Sequence, residues 1–136
     1  MCDYVQQAKD FLKSCNATME INLIGREDPL WDEGCLHIKY EFTITTPLGS
    51  MSGPFYDSAY NSEYNIYNVT EYDILSVLEK YDVGTIDDFV SEFGYEVYSW
   101  DDVKRIQKTY NAVTKQYQDI CRIFTPEQIE KLREIQ

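Results

Sequence analysis

Carboxylates are the commonest groups in this chain able to do chemistry: 24 Asp and Glu stand against 12 Lys and Arg and one histidine, His37. Glu27, Asp28, Asp32 and Glu33 fall within seven positions and are the first candidates for a Mg²⁺ or Ca²⁺ site, because both ions are hard and take oxygen ligands. The segment 26–37 nevertheless lacks the central Gly and terminal Glu of an EF-hand loop. A carboxylate pair could act as acid and base on a glycosidic bond, but no other residue pattern supports it. His37 lies in Leu36-His37-Ile38, on the strand face opposite Leu36, Ile38 and Tyr40, and is expected to be an exposed strand residue rather than a general base. There is no second histidine for zinc, no nucleophile elbow and no phosphate-binding glycine loop. These patterns point away from an enzyme and call for no metal or cofactor. A carboxylate–metal enzyme on the four clustered acids is the third-ranked reading.

The placement of the charge says more. Formal net charge is -12, and the stretch 20–102 alone carries 18 acids and three bases, Arg26, Lys39 and Lys80, a net of -15. Residues 1–19 are neutral, whereas 103–136 are +3, with Lys104, Arg105, Lys108 and Lys115 along one helix. Such a field repels nucleic acid and anionic membranes and attracts basic partners. The candidate partner-binding set is Glu79, Asp82, Asp87, Asp88, Glu92, Glu96, Asp101 and Asp102, interleaved with Tyr95 and Tyr98. Carboxylates three or four positions apart on a helix, such as Asp88 and Glu92, stand about 5–6 Å apart, the order of the spacing between phosphates along a strand. Aromatics beside them, Tyr81 and Trp100 included, suit interface anchors. Helix chemistry offers a competing explanation: acids near N-termini offset the macrodipole, which accounts for Asp73, Asp87, Asp88, Asp101 and Asp102, with Tyr81 and Trp100 then serving as core. Acidity also favours solubility.

The elements that must position these groups follow from periodicity. Tyr4, Val5, Ala8, Phe11 and Leu12 have helical spacing over 3–14, ending near Ser14-Cys15-Asn16. Residues 18–25 and 35–46 alternate as antiparallel strands, with Leu36, Ile38, Tyr40, Phe42 and Ile44 on one face. Pro47-Leu48-Gly49-Ser50 is turn chemistry, and 50–56 can pair back as a third strand that Gly53-Pro54 weakens. Residues 57–69 have no period and are expected to form a surface loop. Thr70 with Asp73 and Thr85 with Asp88 predict capped helices over 71–81 and 86–93, with Gly84 and Gly94 as stops. From Ser99 to Phe124 a stripe of Val103, Ile106, Tyr110, Val113, Tyr117, Ile120 and Phe124 predicts one long helix packed inward rather than a coiled coil. Thr125, Pro126 and Gln128 cap a last helix whose Ile129, Leu132 and Ile135 form an apolar side.

At 136 residues without a linker or repeat, the expectation is a single α+β domain: a small antiparallel sheet over about 18–56, an N-terminal helix and about four C-terminal helices. No apolar run has the length of a transmembrane helix and the first residues do not read as a signal peptide, so a cytoplasmic, monomeric protein is expected. The scattered Cys2, Cys15, Cys35 and Cys121 then stay reduced, with Cys15 and Cys121 buried.

Within Thr70 to Gln136, the segments Tyr72-Asp73-Ile74-Leu75, Lys80-Tyr81-Asp82-Val83-Gly84-Thr85, Asp88-Phe89, Glu92-Phe93-Gly94-Tyr95, Arg122-Ile123-Phe124-Thr125 and Leu132-Arg133-Glu134-Ile135-Gln136 resemble a family of small acidic proteins of bacteriophages and other mobile elements. Tyr-Asp-x-Gly-Thr and Glu-Phe-Gly-Tyr are its distinctive pieces; the N-terminal half is similar only as a hairpin with a variable insertion. The resemblance implies a phage protein acting in the host bacterial cytoplasm, where such proteins inhibit nucleic-acid-directed defences, anti-CRISPR proteins and DNA-imitating restriction inhibitors among them. It names no target nuclease and assigns no residue a role. The leading expectation is an anti-CRISPR that presents its acidic block to the basic groove of a Cas effector. The runner-up is a phage accessory module that binds a replication or recombination protein through Ile129, Leu132 and Ile135.

Overall fold

A computed structural model describes residues 3–27, 37–57, 69–93 and 98–135, without the side chains of Glu79, Glu92 and Phe93. Along these residues the order is α1 (Tyr4–Ser14), β1 (Thr18–Glu27), β2 (His37–Thr46), β3 (Gly49–Asp57), α2 (Glu71–Lys80), α3 (Ile86–Phe93), α4 (Trp100–Ile123) and α5 (Pro126–Arg133). The class is α+β. Leu36, Gly94, Tyr95, Glu96 and most of the expected loop 57–69 lie outside the described residues.

The alternation of β2 becomes a two-faced strand: Ile38, Tyr40, Phe42 and Ile44 are buried, Glu41 and Thr45 exposed. The strands form an antiparallel meander in the order β1-β2-β3. Register places Met19 and Ile21 opposite Ile44 and Phe42, and Met51 opposite Ile44, so the meander turns one apolar face toward the helices. A bulge between Leu23 and Gly25 interrupts β1, and Leu23 and Ile24 are exposed there. β3 forms in spite of Pro54, which pairs opposite Glu41; β3 has one neighbour in this sheet, and an edge strand tolerates the missing donor.

His37 departs from expectation. It is 6% exposed, and its Nδ1 lies 3.1 Å from the carbonyl oxygen of Asp57. Alternation assigned its face correctly but carries no information on what the rest of the chain lays over that face, and the ring finds its polar partner on the end of β3.

The helices are capped as their sequences dictate. The Asp3 carboxylate accepts from the amide of Gln6 at 3.0 Å to begin α1. Asn16, at φ 53, ends it in a left-handed turn in which the amides of Asn16 and Ala17 donate to the carbonyls of Lys13 and Leu12. Thr125 and Gln128 exchange side-chain and backbone bonds at the start of α5, with Pro126 at the first helical position. Gly84 has a different job from the expected helix stop. α2 already ends at Lys80 with Tyr81 as cap, and Gly84 sits at φ +68 just before α3, where a Cβ would lie 2.8 Å from the Asp88 carboxylate. The left-handed conformation and the close carboxylate together call for glycine.

Two apolar clusters form among the described residues. The larger joins α1, α2, α5 and the second half of α4 to the sheet through Phe11, Phe42, Ile44, Leu75, Ile120 and Phe124. α4 comes down onto β3 at Gly53, where a Cβ would be 2.5 Å from Gln116 Nε2. The Thr46 hydroxyl donates to the Ile123 carbonyl at 2.7 Å and ties the β2–β3 turn to the end of the same helix. The smaller cluster, Val83, Phe89, Ile106 and Val113, holds α3 against the first half of α4.

Ile129 and Leu132 are 7% and 4% exposed inside the larger cluster, with Ile135 packed against it. The apolar side of α5 is therefore core, and it is not available as the partner face the runner-up reading required. Cys15 is buried as expected, but Cys121 is exposed: it follows the buried Ile120 and is turned about 100° away from it.

Candidate partner-binding surface

The carboxylates proposed from the sequence have unequal fates. Asp88 is occupied by its own helix: its Oδ2 accepts from the amide of Thr85 at 3.1 Å and from its hydroxyl at 2.9 Å, while its amide donates back to the Thr85 hydroxyl. Asp102 accepts from the backbone N–H of Tyr98 at 3.0 Å and pairs with Arg105 at 3.1 Å. The Tyr98 amide first, and the Arg105 charge after it, hold the Asp102 carboxyl below the usual carboxylate range. Asp82 pairs with Arg133 at 3.2 Å. Asp87 and Asp101 are exposed and make no hydrogen bond or ion pair with a described residue. Glu79 and Glu92 lie on α2 and α3 without described side chains, and Tyr95 and Glu96 lie outside the described residues. The macrodipole and capping explanation thus holds for Asp88 and Asp102, while Asp87 and Asp101 also stand in helix first turns yet remain open to a partner.

The aromatics divide differently. Tyr81 packs against both clusters, but Tyr98 and Trp100 are 81% and 79% exposed, and Val103 behind them is 39% exposed. Trp100 is not core. Among the described residues, α3 and the segment before it pack on α4 around Ile106, Tyr110 and Val113, and neither apolar cluster includes Trp100. The Tyr110 hydroxyl donates to the Gly84 carbonyl at 2.6 Å, so the start of α3 lies level with Tyr110. Trp100 lies ten residues before Tyr110 on α4, about 15 Å along the helix axis. The stripe seen in the sequence is continuous; its cover is shorter. In the sequence the apolar stripe begins at Val103, so its spacing never required Trp100 to be buried.

The basic residues of α4 are partly consumed within it. Arg105 pairs with Asp102, and Lys115 and Arg122 pair with Asp119 at 2.9 and 3.6 Å. Arg133 binds Glu130 and the Tyr117 hydroxyl as well as Asp82, and knits α4, α5 and the α2–α3 connection together. Burial first, and a bond to Cys121 after it, push the Tyr117 hydroxyl up to about 12, so it stays protonated at any physiological pH.

Of the four acids considered for a metal, Glu27 accepts from Lys39 at 2.6 Å and from the Tyr56 hydroxyl at 3.0 Å, and the Lys39 bond is the main reason its carboxyl lies below the usual range. A carboxylate neutralised by an ammonium is a poor cation ligand. Asp28, Asp32 and Glu33 lie outside the described residues, among which no three His, Cys, Asp or Glu side chains gather as a metal site. Among the described residues no helix is long and apolar enough to cross a membrane.

A scan against family models, and comparisons with curated proteins and with solved structures, each returned no match.

Proposed function

We propose that this chain is an inhibitory binding protein of the anti-defence type, an anti-CRISPR that occupies a basic nucleic-acid groove of a Cas effector and keeps DNA or guide RNA out. The observation that carries the reading is the net -15 of residues 20–102 together with exposed, unengaged Asp87 in the first turn of α3 and Asp101 in the first turn of α4. Long-range attraction steers such a surface to Arg and Lys, and charge-assisted hydrogen bonds hold it there. The Cas effector as target comes from the likeness of the C-terminal half to small acidic phage proteins. Asp82, Asp88 and Asp102 contribute to the field but are held by Arg133, Thr85 and the Tyr98 amide, so reversing them would disturb the helices as well as the charge.

The decisive variant is therefore the pair Asp87→Lys and Asp101→Lys. In an in vitro target-DNA cleavage assay with a Cas effector of the phage's host, the wild-type chain should inhibit less as salt rises. The double variant, with its circular dichroism unchanged, should need at least roughly tenfold more protein for the same inhibition, as two charge reversals at about 1 kcal/mol each imply. Full inhibition by the variant would remove this surface from the proposal.

A further inference from the structure

We infer that Trp100, flanked by Tyr98 and Val103, is the anchor of this binding protein and that it receives an arginine side chain of the partner; this deepens the acidic-inhibitor reading and rests on it. An indole 79% exposed is unusual, since Trp ranks among the residues most buried on average. Trp100 makes no hydrogen bond or ring contact with a described residue. It is not loosely held, because it stands in the first turn of a helix whose Ser99 hydroxyl accepts from the Asp102 amide at 3.3 Å and whose Asp102 carboxylate accepts from the Tyr98 amide. A large aromatic fixed on a capped helix loses little freedom on binding, which is what interface anchors require.

Charge selects the occupant. A second copy of this chain would bring -12 against -12, and an anionic bilayer would be repelled likewise. A cationic surface is attracted, and of the two cationic side chains arginine has the flat, weakly hydrated head that stacks on an indole face. Asp101, exposed and turned about 100° from Trp100 around the helix, adds a carboxylate for a basic group beside that arginine. Lys104 lies one turn further along the face of Trp100 and disfavours cations arriving along the helix, so the arginine approaches from the side of Asp101.

The test uses arginine and lysine homopeptides of equal length as probes. The sequence contains two tryptophans, Trp31 and Trp100, so Trp31→Phe leaves Trp100 as the only indole reporter. Its emission should change on titration with the arginine peptide at concentrations roughly threefold below those of the lysine peptide. Calorimetry on the otherwise native chain should show Trp100→Ala weakening the arginine peptide by roughly fivefold while hardly moving the lysine peptide. Equal affinity for the two peptides, or an arginine preference that survives Trp100→Ala, overturns the anchor. Emission that changes with protein concentration alone assigns the face to a second copy and overturns it too. The two proposals fail separately. Undiminished cleavage inhibition by the Asp87→Lys, Asp101→Lys variant sinks the inhibitor surface while an indole response to arginine keeps the anchor. Carboxylate-dependent inhibition with a peptide-blind Trp100 does the reverse.

Discussion

The two halves of α4 live in different surroundings. From Tyr117 to Ile123 the helix is embedded in the larger cluster and packs with the sheet, α2 and α5, with Ile120 and Ile123 wholly buried. From Trp100 to Val113 its apolar contacts among the described residues are with α3 and the segment before it, through Tyr81, Val83, Phe89, Ile106 and Tyr110. One part of the helix belongs to the main core, the other to a small satellite. The difference separates two kinds of surface: the C-terminal half of α4 is built into the main core, and the N-terminal turn leaves Trp100 exposed. The proposed partner surface lies at that uncovered end.

The largest effect that would sharpen this contrast comes from paired truncations. Phe42→Ala should lower global stability by about 3–5 kcal/mol in urea unfolding, because its ring is 1% exposed within the larger cluster. Phe89→Ala removes the same atoms from an equally buried ring, but its loss is limited to the free energy that docks α3. Amide exchange should then accelerate in 83–93 and 100–110 while β2 keeps its protection. Equal loss of protection in β2 would show that the two regions open as one unit.

Next come the caps. Thr125→Ala should cost about 1 kcal/mol in global unfolding, since α5 contributes Ile129 and Leu132 to the larger cluster. Thr85→Ala removes a comparable bond, and its effect should be seen by exchange in α3 and hardly in the global midpoint.

A smaller effect concerns pH. Asp102 has a folded-state pKa below its unfolded one, so its bonds to the Tyr98 amide and Arg105 contribute stability at neutral pH. That contribution is lost as pH falls from the ordinary carboxylate range down through the folded value. The Tyr98 amide resonance should titrate over that acidic window by NMR, and Asp102→Asn should abolish the transition without altering the sheet. Least of all, Asp87→Asn and Asp101→Asn should each change stability by no more than about 0.5 kcal/mol in urea, as expected of surface groups without described partners. A larger loss would mean that these carboxylates serve the fold rather than a partner.

Much of the architecture was legible in the sequence because it is local. Alternation fixed β2, the Thr–x–x–acid pairs began α2 and α3, Ser99 and Phe124 bracketed α4, and Thr125-Pro126 with Gln128 began α5. What escaped depended on the neighbours of each element. His37 carries no mark of the Asp57 carbonyl that meets it across the strands. Ile129 and Leu132 have the same spacing on a helix that docks inward as on one that docks a partner. The candidate surface was legible in charge but not in allocation: periodicity shows that Asp88 and Asp102 occupy first turns, yet only their bonds to Thr85 and Tyr98 show them already engaged. Tyr81 and Trp100 were each open between interface anchor and core, because residue type alone does not say what covers a ring; Tyr81 packs against both clusters and Trp100 is exposed.

Gly53 shows how β3 and α4 meet. The terminal amide of Gln116 lies where a side chain at position 53 would begin, 2.5 Å from that Cβ position. Because this amide is the free end of a long side chain, a methyl there would be met by a turn of Gln116 and not by a shift of α4. The seam between strand and helix therefore has slack at this point, and the course of α4 is set by the buried Ile120 and Ile123 further along.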